Sequence, residues 1–357
     1  MTQRSIPFHF LRGGTSRGPY FNRADLPEDR DALTSVLLQV IGAGNPRNID
    51  GIGGGDAVTT KVAMLSPSEE DGADVDYFFA QVSPTELEVD YGPTCGNILV
   101  GVGPAAIEMG MVPAQSGTTP VRIRAVNTGA LVEAIVQTPD REVLYAGDTE
   151  IDGVPGTAAP VALNFLGVVG SKTGTMFPTG RAIDVIDGVG VTCIDVAMPM
   201  MIGRLADFGL TGQESKAALD DNTALFERME TLRLQAGHLM GFGDVSKSVV
   251  PKIGLIGPPT GEAHLLARYF MPWKTHPTLA VTGSQCLAAC ALAPGTVADG
   301  IAKPVATGPS VITIDYATGQ MDVTVDFARN GSELDFKSAG IVRTARLIAR
   351  GEVMVRV

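Results

Sequence analysis

The second half of this chain repeats the parts of its first half in the same order, and that duplication restricts the fold more than any other feature. In the first half a strand at 6–11 passes a Gly-rich turn and a second strand at 19–21. It then enters a helix at 30–41 of good apolar periodicity. Strands at 61–65 and 76–81 follow. Cys95-Gly96-Asn97 opens an apolar segment to Met109, with Gly110 as a helix stop. Alternation over 121–124, a turn at Asn127-Thr128-Gly129 and a return over 131–136 make a hairpin.

The second half offers a strand at 191–196, a loop containing Met198-Pro199 and a helical region at 213–241. Lys252-Ile253-Gly254-Leu255-Ile256 then stands where Lys61-Val62-Ala63-Met64-Leu65 stood. Thr282-Gly283-Ser284 opens a small-residue helix, and a hairpin covers 310–316 and 321–327. Five matched elements predict two pseudo-symmetric lobes with a cleft between them. The boundary is expected within 167–188, rich in Gly, Thr and Pro, giving lobes of 1–180 and 181–357. Residues 340–357 read as a basic helix (Arg343, Arg346, Arg350) and a terminal strand able to cross back onto the first lobe.

With 43 Gly, 23 Pro and few aromatics, short strands and tight turns are favoured over a helical bundle, which makes the class α+β. The net charge of −12 argues against nucleic acid as a partner. It also means that a site for an anion must concentrate Arg, Lys and backbone N–H groups against the field of the whole protein. The start Met1-Thr2-Gln3-Arg4-Ser5 lacks a signal-peptide h-region, and no stretch approaches a membrane span, so a cytoplasmic protein is expected. Cys95, Cys193, Cys286 and Cys290 form no Cys-x-x-Cys pair, and His9, His238, His264 and His276 never pair at ligand spacing; no metal site is expected.

Three constellations could carry chemistry. Cys95-Gly96-Asn97 and Thr282-Gly283-Ser284 each begin a helix, where successive N–H groups favour a thiolate or a bound carboxylate; they serve equally well as plain N-caps. Lys61 follows a glycine-rich loop that includes Gly54 and Gly55 and precedes an apolar strand. Desolvation there would suit a general base, and a surface lysine at a strand end is the plainer reading. Arg12-Gly13-Gly14-Thr15-Ser16-Arg17-Gly18 offers two cations and two hydroxyls as a carboxylate clamp, or simply a hairpin turn. It contains Gly-x-Ser-x-Gly, yet strand rather than helix follows the serine, which excludes a hydrolase elbow. Gly51-Ile52-Gly53-Gly54-Gly55-Asp56 has Asp where a dinucleotide fingerprint needs glycine. Lys252 could bring charge to the second lobe's side of the site, or sit in a solvated loop.

Taken together, Arg12-Gly13-Gly14-Thr15-Ser16-Arg17-Gly18, Asp50-Gly51-Ile52-Gly53-Gly54-Gly55, Thr60-Lys61-Val62-Ala63, Cys95-Gly96-Asn97 and Pro294-Gly295-Thr296-Val297 resemble the motifs of the PrpF-like family of methylaconitate isomerases and 4-oxalomesaconate tautomerases. The likeness runs over nearly the whole chain. It implies the diaminopimelate epimerase-like fold, in which each lobe is a β-barrel-like sheet around a central helix and the site lies between lobes. It places Lys61 and Cys95 at the family's proposed acid/base positions. Arg12, Thr15, Ser16, Arg17, Gly54, Gly55, Gly96, Asn97, Thr282, Gly283 and Ser284 fall at its carboxylate-binding positions.

The epimerase branch uses one thiol from each lobe, and the second thiol position here is Thr282, so a symmetric two-thiol epimerisation is not expected. The resemblance implies a cofactor-independent proton shift on an unsaturated tricarboxylate. The substrate would be 4-oxalomesaconate from aromatic-acid catabolism, or 2-methylaconitate from propionate catabolism. A non-catalytic carboxylate-binding protein is the reading from another class. A homodimer is compatible with an antiparallel sheet edge.

Overall fold

The computed structural model describes residues 3–330 and 333–356. Two compact units emerge, one of residues 1–164 with 342–357 and one of residues 165–341. The change of unit falls at Asn164/Phe165, just upstream of the Gly-rich stretch at 167–188.

The first unit contains β1 (Gln3–Gly13), β2 (Ser16–Asn22), α1 (Arg30–Ile41), β3 (Lys61–Pro67), β4 (Val75–Val82) and β5 (Val89–Asp90). It continues with α2 (Gly96–Val100), α3 (Val102–Glu108), β6 (Gly117–Ala125), β7 (Ala130–Thr138) and β8 (Pro160–Leu166). The second contains β9 (Asp184–Ile186), β10 (Val189–Val196), β11 (Met198–Arg204), α4 (Lys216–Asp220), α5 (Thr223–Leu239) and β12 (Lys252–Gly257). After these come β13 (Leu265–Phe270), α6 (Val281–Leu292), β14 (Ser310–Tyr316), β15 (Gly319–Asn330) and β16 (Glu333–Arg356), whose end belongs to the first unit.

The duplication is explicit in the ladders. In the first unit β1–β2, β3–β4 and β6–β7 are antiparallel while β2–β3 and β4–β6 are parallel. In the second, β10–β11, β12–β13 and β14–β15 are antiparallel while β11–β12 and β13–β14 are parallel. The end of β16 pairs with β1 and β8 pairs with β16, so eight strands of the first unit close into a ring. The fold class expected from the sequence is the one found.

Each unit packs helices on both faces of its sheet, with α2 and α3 inside and α1 outside in the first, and α6 inside and α5 outside in the second. α1 shows why the outer helix forms where it does. Asp29 caps it by accepting from Asp31 N and Ala32 N, Gly42 ends it at φ 77°, and Leu33, Leu37, Val40 and Ile41 bury one face. Burying a side chain such as Leu37 contributes roughly 1.5–3 kcal/mol. The inner helices are small-residue helices because the sheet leaves no room for bulk. In α6 Gly283, Ser284, Cys286, Ala288, Ala289 and Cys290 are all buried. In α3 a Cβ on Gly103 would stand 2.9 Å from Val136 Cγ2.

Three local expectations are corrected. Met198-Pro199 belongs to strand β11 rather than a loop; its ladder to β12 begins at Met200, so the amide missing at Pro199 interrupts nothing there. Residues 340–356 contain no helix: they belong to the long strand β16, which is paired with β15 up to Gly340 and with β1 from Ala345 onward. Thr282 is not a capping residue: α6 starts at Val281 with Ala280 as N-cap, so its capping position lies two residues before that threonine. Among the described residues no helix is long and apolar enough to cross a membrane.

Candidate active site

β2 and β3 run parallel, so their first residues lie at the same end of the first unit. The Gly-rich β1–β2 turn, Lys61 and the start of α2 all stand at that end. Gly18 lies so close to β3 that a Cβ there would sit 1.8 Å from the Lys61 carbonyl oxygen. A Cβ on Gly13 would meet Asn97 O at 2.3 Å, and one on Gly14, at φ +48°, would meet Asn97 Oδ1 at 2.2 Å. Glycine is required here by close backbone approach. Asn97 completes the join by donating from Nδ2 to Thr15 Oγ1 at 3.0 Å.

Lys61 opens β3 opposite Gln81 of β4. Its Nζ donates to Gln81 Oε1 at 2.6 Å and lies 5.4 Å from the Phe79 ring centroid. The Gln81 amide is itself fixed, with Nε2 donating to Ala57 O at 3.1 Å and to Val82 O at 3.2 Å. Among the described residues no carboxylate is within ion-pair distance of Lys61. The half-buried amine is thus held by a neutral amide and an aromatic face.

Tyr77, Phe79 and Gln81 alternate along β4 and share one face. The Tyr77 and Phe79 rings are 6.2 Å apart, and the Tyr77 hydroxyl donates to the Cys95 carbonyl at 3.3 Å. From β2, Tyr20 donates to Ile98 O at 2.6 Å. Burial pushes both phenols well above their ordinary range, and the neighbouring Cys95 adds to the effect in each. The Lys61 amine and the backbone of Cys95, 34 positions apart in sequence, are therefore connected through two tilted rings of one strand face.

Cys95 is the N-cap of α2 but makes no side-chain capping bond, so the helix does not use its thiol. It is also the accessible cysteine; Cys193, Cys286 and Cys290 are buried. Burial raises Cys193 and Cys290 to about 12 and Cys286 well above the usual thiol range, which makes those three poor proton donors and poor nucleophiles.

The other residues singled out from sequence divide. Gly96 faces open space, with nothing within 4 Å of a Cβ built there. Thr15 and Arg17 are exposed, and the Arg17 Nη2 would be 2.9 Å from a Cβ on Gly54. Arg17 stacks 5.8 Å from Phe10 and has no carboxylate partner among the described residues, which leaves its guanidinium available. Arg12, in contrast, uses Nη1 to bind Gly14 O at 2.8 Å and Thr344 O at 2.9 Å. Burial, with Arg346 opposite it, holds the Arg12 guanidinium below its ordinary pKa. It braces the turn. Ser16 is buried, and the Gly55 N–H is committed to Asn48 Oδ1 at 2.7 Å.

In the second unit Gly283 packs against Tyr269, where a Cβ would lie 2.2 Å from Cε2. Ser284 Oγ donates to Val281 O at 2.8 Å inside its own helix, and Thr282 is half-buried in the first turn. Gln81, Phe79 and Tyr77 were missed from the sequence. The signal was there in part: pairing the strands at 61–65 and 76–81 antiparallel puts Gln81 opposite Lys61.

A family model described as PrpF protein matches residues 3–356. The (4E)-oxalomesaconate Delta-isomerase of Novosphingobium sp. (strain KA1) is 43% identical over 351 residues, covering 98% of both chains. The 4-oxalomesaconate tautomerase of Pseudomonas putida is 43% identical over 355 residues, covering 99% of this chain and 97% of that one. A crystal structure of methylitaconate-delta-isomerase matches with a TM-score of 0.91 at 33% identity, covering 99% of this chain and 96% of that chain.

Proposed function

This chain belongs to the PrpF family and is an isomerase, and from that premise we propose that it shifts a proton within 4-oxalomesaconate, with Lys61 as base and Cys95 as proton donor. The substrate is a branched, unsaturated oxo-tricarboxylate whose C–H bonds next to the oxo and vinyl groups are acidic. Lys61 in its neutral form takes one of these protons. The electron pair left behind spreads into a dienolate, stabilised by the Arg17 guanidinium and by backbone N–H groups where charge develops. The Cys95 thiol then returns a proton at the allylic carbon, which moves the double bond, or at the enol oxygen, which completes a tautomerisation.

One observation carries this reading: an amine without a carboxylate partner among the described residues is linked through the Tyr77–Phe79 face of β4 to the backbone of Cys95, whose accessible thiol its helix does not use. A structural lysine would more commonly be exposed or ion-paired. The names of two relatives at 43% identity support oxalomesaconate over methylaconitate.

Proton NMR in D₂O with 4-oxalomesaconate and with 2-methylaconitate tests the reading. Turnover of the first with solvent deuterium at one carbon is expected. Lys61→Met and Cys95→Ala should each slow it by on the order of 100-fold or more. Turnover of methylaconitate alone would transfer the same chemistry to that substrate. Ligand binding without any deuterium incorporation would reduce the protein to a carboxylate binder.

A further inference from the structure

Lys252 begins β12 as Lys61 begins β3, and the two strands enter their sheets in the same register: Gly254 faces Tyr269 where Ala63 faces Phe79. The surroundings differ in one respect. Continuing the β12–β13 register by one residue brings Met271 opposite Lys252, where the first unit has the Gln81 amide. Lys252 is half-buried, and among the described residues its amine makes no hydrogen bond and no ion pair.

The groups around Lys252 do not neutralise it. Arg233 is fully buried and already engaged, with Glu230 at 2.7 Å and with the carbonyls of Ser248 and Val245. His276 packs edge-on against Tyr269, with ring centroids 5.7 Å apart. Its Nδ1 accepts from Thr278 N at 3.1 Å, so the neutral ring carries its proton on Nε2, which has no acceptor among the described residues. Burial lowers the His276 pKa, opposed by the Thr278 backbone, and the Lys252 charge lowers it further. Burial and then Arg233 lower that of Lys252. Lys252 and His276 both border the Tyr269 ring: Lys252 shares a strand face with Gly254, which pairs with Tyr269, and His276 packs on that ring, which also backs the first turn of α6 at Gly283.

Both donors are half-buried and, among the described residues, have no protein acceptor, so they are open to oxygen atoms supplied from outside the protein, by water or by an anion that displaces it. In a chain of net charge −12 a carboxylate of its own was easily available, yet none is within reach. We propose that Lys252 and His276 form an anion subsite in the second unit that takes one carboxylate of a small polycarboxylate. The pair of donors argues for an oxyanion; the choice of a carboxylate rests on the substrate reading above.

Calorimetric titration of the full-length protein with tricarballylate, a saturated tricarboxylate that cannot react, tests this apart from catalysis. Inorganic phosphate serves as the competing anion, and thermal melts verify that each variant is folded. Lys252→Met should weaken tricarballylate binding about 10- to 100-fold, the scale of a charge-assisted hydrogen bond. Lys252→Arg should restore most of it, and His276→Gln should weaken binding by a smaller factor. A folded Lys252→Met that binds like the wild type overturns the subsite, as does a wild type that binds no tricarballylate. Binding of phosphate in place of tricarballylate overturns the carboxylate assignment. Failure of the isomerase reading shows up separately, as absent turnover of 4-oxalomesaconate while tricarballylate binding and its dependence on Lys252 persist.

Discussion

Lys61 and Gln81 face each other across the first rung of the β3–β4 ladder, and the lysine Nζ donates to the glutamine Oε1 at 2.6 Å. Because the Gln81 Nε2 is tied to backbone carbonyls, its oxygen is aimed at the amine. Gln81 is a positioning residue in this arrangement. A Gln81→Glu change would set a carboxylate beside the amine and favour its charged form, so the acidic limb of the kcat/KM profile should move to higher pH. Gln81→Met should lower kcat by about tenfold with little change in KM. An unshifted profile in the glutamate variant would mean that the limb reports some group other than Lys61.

Gly18 and Gly96 make opposite predictions from the same substitution. A methyl group on Gly18 would run into the Lys61 carbonyl at 1.8 Å, and backbone cannot step aside as a side chain can. Gly18→Ala should therefore destabilise the protein by at least about 1–3 kcal/mol in chemical denaturation and displace Lys61 with it. Gly96 has nothing within 4 Å of its added Cβ and begins a helix. Gly96→Ala should leave stability within about 0.5 kcal/mol of wild type while raising KM, since the methyl would take up open space at the residue next to Cys95 in the chain.

The fold was legible because its signals are local and doubled. Periods of 2 and 3.6 locate the strands and helices, and the three hairpins and the parallel steps between them recur in the second half in the same sense, as β2–β3 and β11–β12 illustrate. The C-terminal segment escaped because Arg343, Arg346 and Arg350 are spaced like one face of a helix, while from Ala345 onward the segment is held as strand by its ladder with β1. In the site, residue type and glycine-rich surroundings single out Lys61 and Cys95 but leave a surface lysine and a plain N-cap as readings; the family resemblance is what gives the pair an acid/base role. Arg12 and Arg17 could not be told apart, because one partner of Arg12 is the carbonyl of Thr344, 332 positions away. Gln81, Phe79 and Tyr77 are ordinary strand residues until a register is known.

Tyr20 ties β2 to α2 through its 2.6 Å hydrogen bond to Ile98 O in a fully buried setting. Tyr20→Phe leaves that carbonyl without its donor and should cost about 1–2 kcal/mol near neutral pH. The pH dependence has a fixed sign. The folded-state pKa is raised above the unfolded value of 10.0, so this contribution is fully present below that pH and declines as the pH rises past it. Urea titrations at neutral pH and above about pH 10 should show the wild type losing more stability than Tyr20→Phe on going alkaline. Equal losses would place the alkaline sensitivity elsewhere.

Asp76 of β4 makes the corresponding prediction for acid. Arg124 Nε donates to its Oδ1 at 2.8 Å, and Ser68 Oγ donates to the same oxygen at 2.8 Å. The Arg124 hydrogen bonds, against the opposing effect of burial, hold the carboxyl below its ordinary value of 3.8. A folded-state pKa below the unfolded one means that this stabilisation is present above about pH 3.8 and is lost as the pH falls through the folded value. Asp76→Asn should therefore be less stable than wild type at neutral pH, and the gap should close as the pH is lowered into that window. Because Asp76 pairs through the β4–β6 ladder with Arg124, the loss should appear in hydrogen exchange of β4 and β6 before other strands of the first unit. A stability gap that stays constant from neutral pH down to acid would show that the variant acts through packing rather than through this ion pair.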